Sequence, residues 1–188
     1  MDPGRMLPEQ ASAAHVPGLA VTFAAAFRDD ATIRWPMPGA TPAVLAELFG
    51  VILTPYARSG VLWKIGGYDG AAAWLPPAMA GRFAAIEQAT RAAISPLTGD
   101  GGVRYAAFWD WLNDHLPGEP CWFLDLVAVA PAAQGRGLAA GSWRTAWSGP
   151  TPAGAPPSWK PPLPATSRFI NPSASRSSAS SKPRTAAP

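Results

Sequence analysis

Two groups of residues between Cys121 and Ala140, in CWFLDLVAVAPAAQGRGLAA, are of types that could do chemistry. Gln134-Gly135-Arg136-Gly137-Leu138-Ala139 puts glycines where backbone must approach a ligand closely, and small residues follow where a helix should begin. Free N–H groups at such a turn, with the positive end of a helix dipole, suit a phosphate group. Asp125, set in an apolar run, is a candidate general base. A carboxylate that loses its water there keeps its proton to higher pH, which suits proton abstraction. An outward-facing residue or an ion-pair partner accounts for Asp125 equally well, and the glycine turn alone also fits a strand-turn-helix with no ligand. Two common phosphate sites are excluded: no Gly-Lys-Ser/Thr follows, and the spacing is not G-x-G-x-x-G.

These residues need a strand and a helix to hold them. Phe123 to Ala130 is short and apolar and ends at Pro131, which has no N–H to donate. It reads as a strand covered on both faces. Upstream, Val16, Leu19, Ala20, Phe23 and Phe27 mark one stripe of a helix over His15 to Asp30. Thr41-Pro42 is an N-cap and first turn, and Val44, Leu45, Leu48, Ile52 and Tyr56 carry a second helix to Gly60. Val61 to Ile65 and Ala71 to Leu75 flank Gly66-Gly67-Tyr68-Asp69-Gly70, a hairpin stopped by Pro76-Pro77. Met79 to Ile94 is helical and closes at Ser95-Pro96. Tyr105, Phe108, Trp109, Leu112 and Leu116 repeat the helical spacing before the chain turns at Pro117 to Pro120.

Strand, V-A-V, proline, two residues and Q-G-R-G-L-A, in that order, resemble the acetyl-CoA signature of the GNAT N-acetyltransferase superfamily. That signature, R/Q-x-x-G-x-G/A, is filled by Gln134, Gly137 and Ala139. FAAAFRDDATIRWPMP, AAAWLPP and GEPCWFLDLVAVAPAAQGRGLAA together resemble the puromycin N-acetyltransferase branch, over roughly residues 15–141. The resemblance implies the GNAT fold, an α/β (α+β) fold with a mixed sheet, and acetyl-CoA as co-substrate. The backbone of Leu126, Val127, Ala128 and Val129 is then expected to pair with the pantetheine arm. Gln134, Gly135, Arg136, Gly137, Leu138 and Ala139 are expected to cradle the pyrophosphate, with Arg136 touching phosphate or simply solvated. Asp125 becomes the base that frees a small-molecule amine for direct attack on the thioester. The acceptor itself is not carried over, because close relatives differ in the amine they use. In the family the acid for the leaving thiolate is a tyrosine on a later helix, and the last tyrosine of this chain is Tyr105. Trp109, Trp111, Trp122 and Phe123 could line an acceptor pocket, but core packing is the expected role for most of them. A reading from another class is a non-catalytic CoA-binding or interaction module that recruits a partner through its tail.

Composition narrows the rest. With 188 residues the chain is long enough for one domain with a proper core. A single cysteine, Cys121, rules out an internal disulfide. No apolar run reaches the length of a membrane span. Val16 to Phe27 could mimic a signal-peptide core, but Asp2 and Glu9 stand where positive charge belongs, so a cytoplasmic protein is expected. His15 and His115 are too few and too far apart to suggest a metal site. Residues 1–141 hold nine Lys and Arg against all 12 acidic residues, a charge of −3, whereas residues 142–188 hold six Lys and Arg and no acid. Basicity therefore belongs to the tail, and neither nucleic acid nor membrane is an expected partner.

After Gly141 the character of the chain changes. Residues 142–188 contain ten prolines, many serines and no carboxylate, the composition of a disordered linker. The expected division is an acetyltransferase domain over residues 1–148, lacking its last helix and strands, and a tail over residues 149–188. Trp143 and Trp147 are spaced to continue a helix to about Ser148. Yet Trp159, Phe169 and Ile170 are unusual in a linker. Reading the message one nucleotide earlier forces Glu from Trp159-Lys160, Thr or Ala from Lys160-Pro161, and Tyr or His from Phe169-Ile170. Suitable wobble bases then permit P-R-N-x-P-L-Y-x-x-x-G-F, which resembles the second GNAT motif. A shifted frame near Gly141 and a genuine tail are the two accounts of this region.

Overall fold

Phe23, Phe27 and Phe49 form the aromatic centre around which the helices assemble. Phe49 lies 5.4 Å, centroid to centroid, from each of the other two rings. The computed structural model describes residues 8–115 and 123–138, with backbone only at 80–83. Helix α1 (Val16–Ala26) buries Val16, Leu19, Ala20 and Phe23 as the spacing predicts. It ends four residues short of the expected Asp30. The Asp30 carboxylate instead accepts the Thr32 N–H at 2.8 Å and caps a separate short helix, α2 (Ala31–Arg34). Helix α3 (Pro42–Arg58) starts at the expected cap, with Thr41 Oγ1 accepting the Val44 N–H at 3.3 Å. Its Leu45, Leu48, Phe49, Ile52, Leu53 and Tyr56 are buried against α1 and the sheet. Each such side chain contributes about 1.5–3 kcal/mol of burial.

The sheet has the order β1-β2-β3-β4, with β1 Glu9–Gln10, β2 Leu62–Ile65, β3 Gly70–Leu75 and β4 Phe123–Val129. Every pairing among the described residues is antiparallel, so the expected mixed sheet is wholly antiparallel there. Ile65 pairs with Gly70, and Gly66 and Gly67 make the tight turn between them at φ 58° and 68°. Strand β3 is buried at every position. Its alternation places Ala71, Ala73 and Leu75 in the helical core, where small residues let α1 and α3 lie close to the sheet. Leu126 and Ala128 of β4 join the same core. Phe123, Leu124, Val127 and Val129 are only half-buried, so β4 is not covered on both faces as its apolar sequence suggests.

Helices α4 (Ala80–Ile94) and α5 (Val103–Asn113) lie in the chain between β3 and β4. Arg91 of α4 pairs with Glu87 and, at 2.8 Å, with Asp110 of α5, fastening the two helices. Tyr105, Trp109 and Leu112 are the buried side of α5. No helix among the described residues is long and apolar enough to cross a membrane. The helix expected to run to about Ser148, the tail from residue 149, and Leu116, Cys121, Trp122 and Ala139 lie outside the described residues.

Candidate functional site

Strict alternation along F-L-D-L-V-A-V would put Asp125 on the face of Val127 and Val129, away from Leu126 and Ala128. The register forbids this. Ala73 pairs with Leu126 but Trp74 pairs with Leu124, so Asp125 is the extra residue of a β-bulge. The bulge turns Asp125 into the helical layer next to Leu126, where it is only 1% exposed. It accepts a hydrogen bond on Oδ2 from the hydroxyl of Tyr56 on α3. Its Oδ1 has no hydrogen-bond partner among the described residues. Burial pushes the carboxyl up to about 6, opposed by the Tyr56 bond and helped by the charge of Glu87. Burial first, and then the Asp125 charge, hold the Tyr56 hydroxyl well above its ordinary range, so it remains a donor.

Asp125 forms the polar wall of an otherwise largely apolar cleft. Phe27, Phe49, Tyr105, Phe108, Trp109 and Leu126 are among its lining, and they leave a free volume of about 30 Å³, room for a water or two. Tyr105 and Trp109 stand 6.0 Å apart, centroid to centroid. Burial also raises the Tyr105 hydroxyl, which leaves Asp125 as the group of this cluster that titrates near neutral pH. Trp111, grouped with the pocket aromatics in sequence, faces outward at 53% exposure. Helix periodicity explains the difference, because Trp111 lies two residues from Trp109 and hence on another side of α5.

The glycine turn lies at the other end of the same strand. Pro131–Ala133 forms one 3₁₀ turn, and Gly135 and Gly137 follow at φ 77° and 73°, conformations that favour glycine. A Cβ placed on either glycine meets no atom of the described residues within 4 Å. Three contacts pin it. Gln134 Nε2 donates to the Val129 carbonyl at 3.2 Å, Arg136 pairs with Asp69 at 3.4 Å, and Leu138 packs with Ile65 and Ala133 beside Val129. The Gln134 side chain therefore closes the turn, and Arg136 is held by the β2–β3 turn.

Along β4, the Ala130 N–H donates to the Asp69 carbonyl at 2.8 Å. Antiparallel alternation from that bond directs the backbone groups of Ala128 toward β3 and those of Val127 and Val129 toward the outer edge. No strand pairs with that edge among the described residues. Leu126 meets the core through its side chain. Asp125 to Val129 and Gln134 to Leu138 thus run as one continuous feature from the cleft to the glycine turn, and Ala139 lies just beyond the described residues.

Sequence reasoning gave Tyr56 only a core role and Tyr105 only a helical spacing. The available signal was chemical: a tyrosine on a buried helical stripe needs a partner for its hydroxyl, and an aspartate in an apolar strand needs a donor. Comparison with models of known protein families finds no match, and neither does comparison with curated proteins.

Proposed function

We propose that the described part of this chain is the acetyl-CoA-binding and base-carrying portion of an N-acetyltransferase acting on a small-molecule amine. One observation carries the proposal. A single strand, β4, whose outer edge is unpaired among the described residues, has a buried carboxylate on an aromatic cleft near one end and a two-glycine turn beyond the other.

The residues suit acetyl-CoA in three respects. The turn has Gly135 and Gly137 at positive φ with no described atom within 4 Å of where their side chains would stand, and such a turn of backbone N–H groups suits a phosphate. The outward N–H and carbonyl of Val127 and the N–H of Val129 offer hydrogen bonds to an extended amide chain, as an edge strand does, while the Val129 carbonyl is taken by Gln134. Arg136 is partly exposed and could turn its charge from Asp69 toward a diphosphate. Bound there, acetyl-CoA supplies the activated acetyl group.

The chain's own residues then do three things. The aromatic side chains of the cleft shield Asp125 from bulk solvent and leave beside it room for a water or two, through which it reaches an amine at the mouth. Asp125, with its carboxyl held to about 6, is ionised at neutral pH and takes the ammonium proton across a bridging water. Tyr56 stays protonated throughout. The test is isotopic acetyl transfer from acetyl-CoA to a panel of primary amines. Labelled product that wild type forms and Asp125→Asn does not is the expected result. Binding of acetyl-CoA with no transfer to any amine, by this chain or by its frame-restored version, would leave a non-catalytic CoA-binding module instead.

A further inference from the structure

We infer that Tyr56 is the positioning residue for the base: its hydroxyl ties Asp125 through Oδ2 and leaves Oδ1 as the oxygen that takes a proton. This rests on the acetyltransferase reading of the cleft, but the geometry it uses is independent of any ligand.

Tyr56 is on α3 and Asp125 is on β4, 69 residues later, and both are buried. Two structural devices bring them together. The bulge opposite Ala73 and Trp74 turns Asp125 into the helical layer, and the buried stripe of α3 carries Tyr56 to meet it. Without the bulge the carboxylate would leave the cleft. Without the hydroxyl it would have no polar partner at all among the described residues. A buried carboxylate with two unsatisfied oxygens is free to rotate and is held in its neutral form, and neither condition suits a base. One fixed donor solves both problems. It stabilises the ionised state and leaves a single oxygen for the incoming proton.

The other titratable groups near the pair support this assignment. The negative charge of Glu87 on α4 opposes ionisation of Asp125. Arg91, which could offset that charge, is engaged by Glu87 and Asp110. Tyr105 of α5 lines the cleft, yet no hydrogen bond joins it to Asp125, and burial keeps its hydroxyl protonated. Among the described residues, Tyr56 alone donates to the carboxylate.

The experiment is a titration of the Asp125 carboxyl by carbon-13 NMR on the full chain, in wild type, Tyr56→Phe and Tyr105→Phe. It is paired with the pH profile of labelled acetyl transfer. Tyr56→Phe keeps the ring in the core, and cooperative unfolding checks that the fold survives. Loss of a charge-assisted hydrogen bond should raise the Asp125 midpoint by about one pH unit. The acid limb of kcat/KM should move up with it, and Tyr105→Phe should leave the midpoint in place. A midpoint unmoved in Tyr56→Phe, or moved equally in Tyr105→Phe, overturns the inference. A shifted midpoint in a protein that transfers no acetyl group upholds the Tyr56–Asp125 tie and overturns the acetyltransferase reading, so the two failures are distinguishable.

Discussion

Replacing Asp125 with asparagine should make the protein more stable at neutral pH, relative to acid, while removing the proposed base. The folded carboxyl is pushed up to about 6 from an ordinary value of 3.8, chiefly by burial. Because the folded protein holds this proton more tightly than the unfolded chain, the folded state gains where the group is protonated. That advantage is lost as pH rises from about 4 to about 6. At 1.36 kcal/mol per pH unit, the ionised carboxylate costs the fold about 3 kcal/mol above that window. Roughly half of this is already present near pH 5. The asparagine cannot ionise, although its side-chain oxygen can still accept from Tyr56. Urea unfolding of both proteins across this range therefore has a definite expectation. The stability of Asp125→Asn minus that of wild type should rise by roughly 1–2 kcal/mol between about pH 5 and pH 8. Any fixed cost of the amide cancels from this difference. A gap that stays constant with pH, or that narrows as pH rises, would refute the argument that burial controls this carboxyl.

Two further outcomes follow from packing and from the reading frame. Gly70→Ala should destabilise the protein by about 1–3 kcal/mol in chemical unfolding, because its Cβ would come within 2.9 Å of the Ala128 carbonyl, a backbone atom that cannot swing aside. Restoring one nucleotide of frame near the codon for Gly141 should raise solubility and acetyl transfer together. The restored frame gives Tyr or His across Phe169-Ile170, and a general acid of that kind is worth roughly a hundredfold in rate. Equal turnover and equally cooperative unfolding of the two versions would make residues 142–188 a natural appendage.

Local signals in the sequence were enough to locate most elements. Thr41-Pro42, the apolar stripes of α1 and α3, the paired glycines of the hairpin and the stop at Pro131 act over a few residues, and each stands as read. The differences and the alternatives left open arise where a distant neighbour decides. The end of α1 depends on whether Asp30 extends that helix or caps the next, and capping prevails. The orientation of Asp125 depends on how β4 is registered against β3, because one extra residue in a ladder changes the face of everything beyond it. Its partner Tyr56 and the hold of Asp69 on Arg136 are tertiary contacts with no local trace. The chemistry-bearing residue types were therefore legible before the structure, but the connection between them was not.

The assignment of the glycine turn to acetyl-CoA is tested by isothermal titration calorimetry of acetyl-CoA with wild type, Gln134→Ala, Gly137→Ala and Gly137→Glu. Wild type should bind. Gln134→Ala should weaken binding modestly, since that side chain closes the turn on Val129. Gly137→Ala should add the strain of a side chain at φ 73°, and Gly137→Glu should abolish binding by placing bulk and negative charge over the turn. Absence of binding by wild type, or equal affinity in wild type and Gly137→Glu, would contradict the assignment of this turn to the diphosphate.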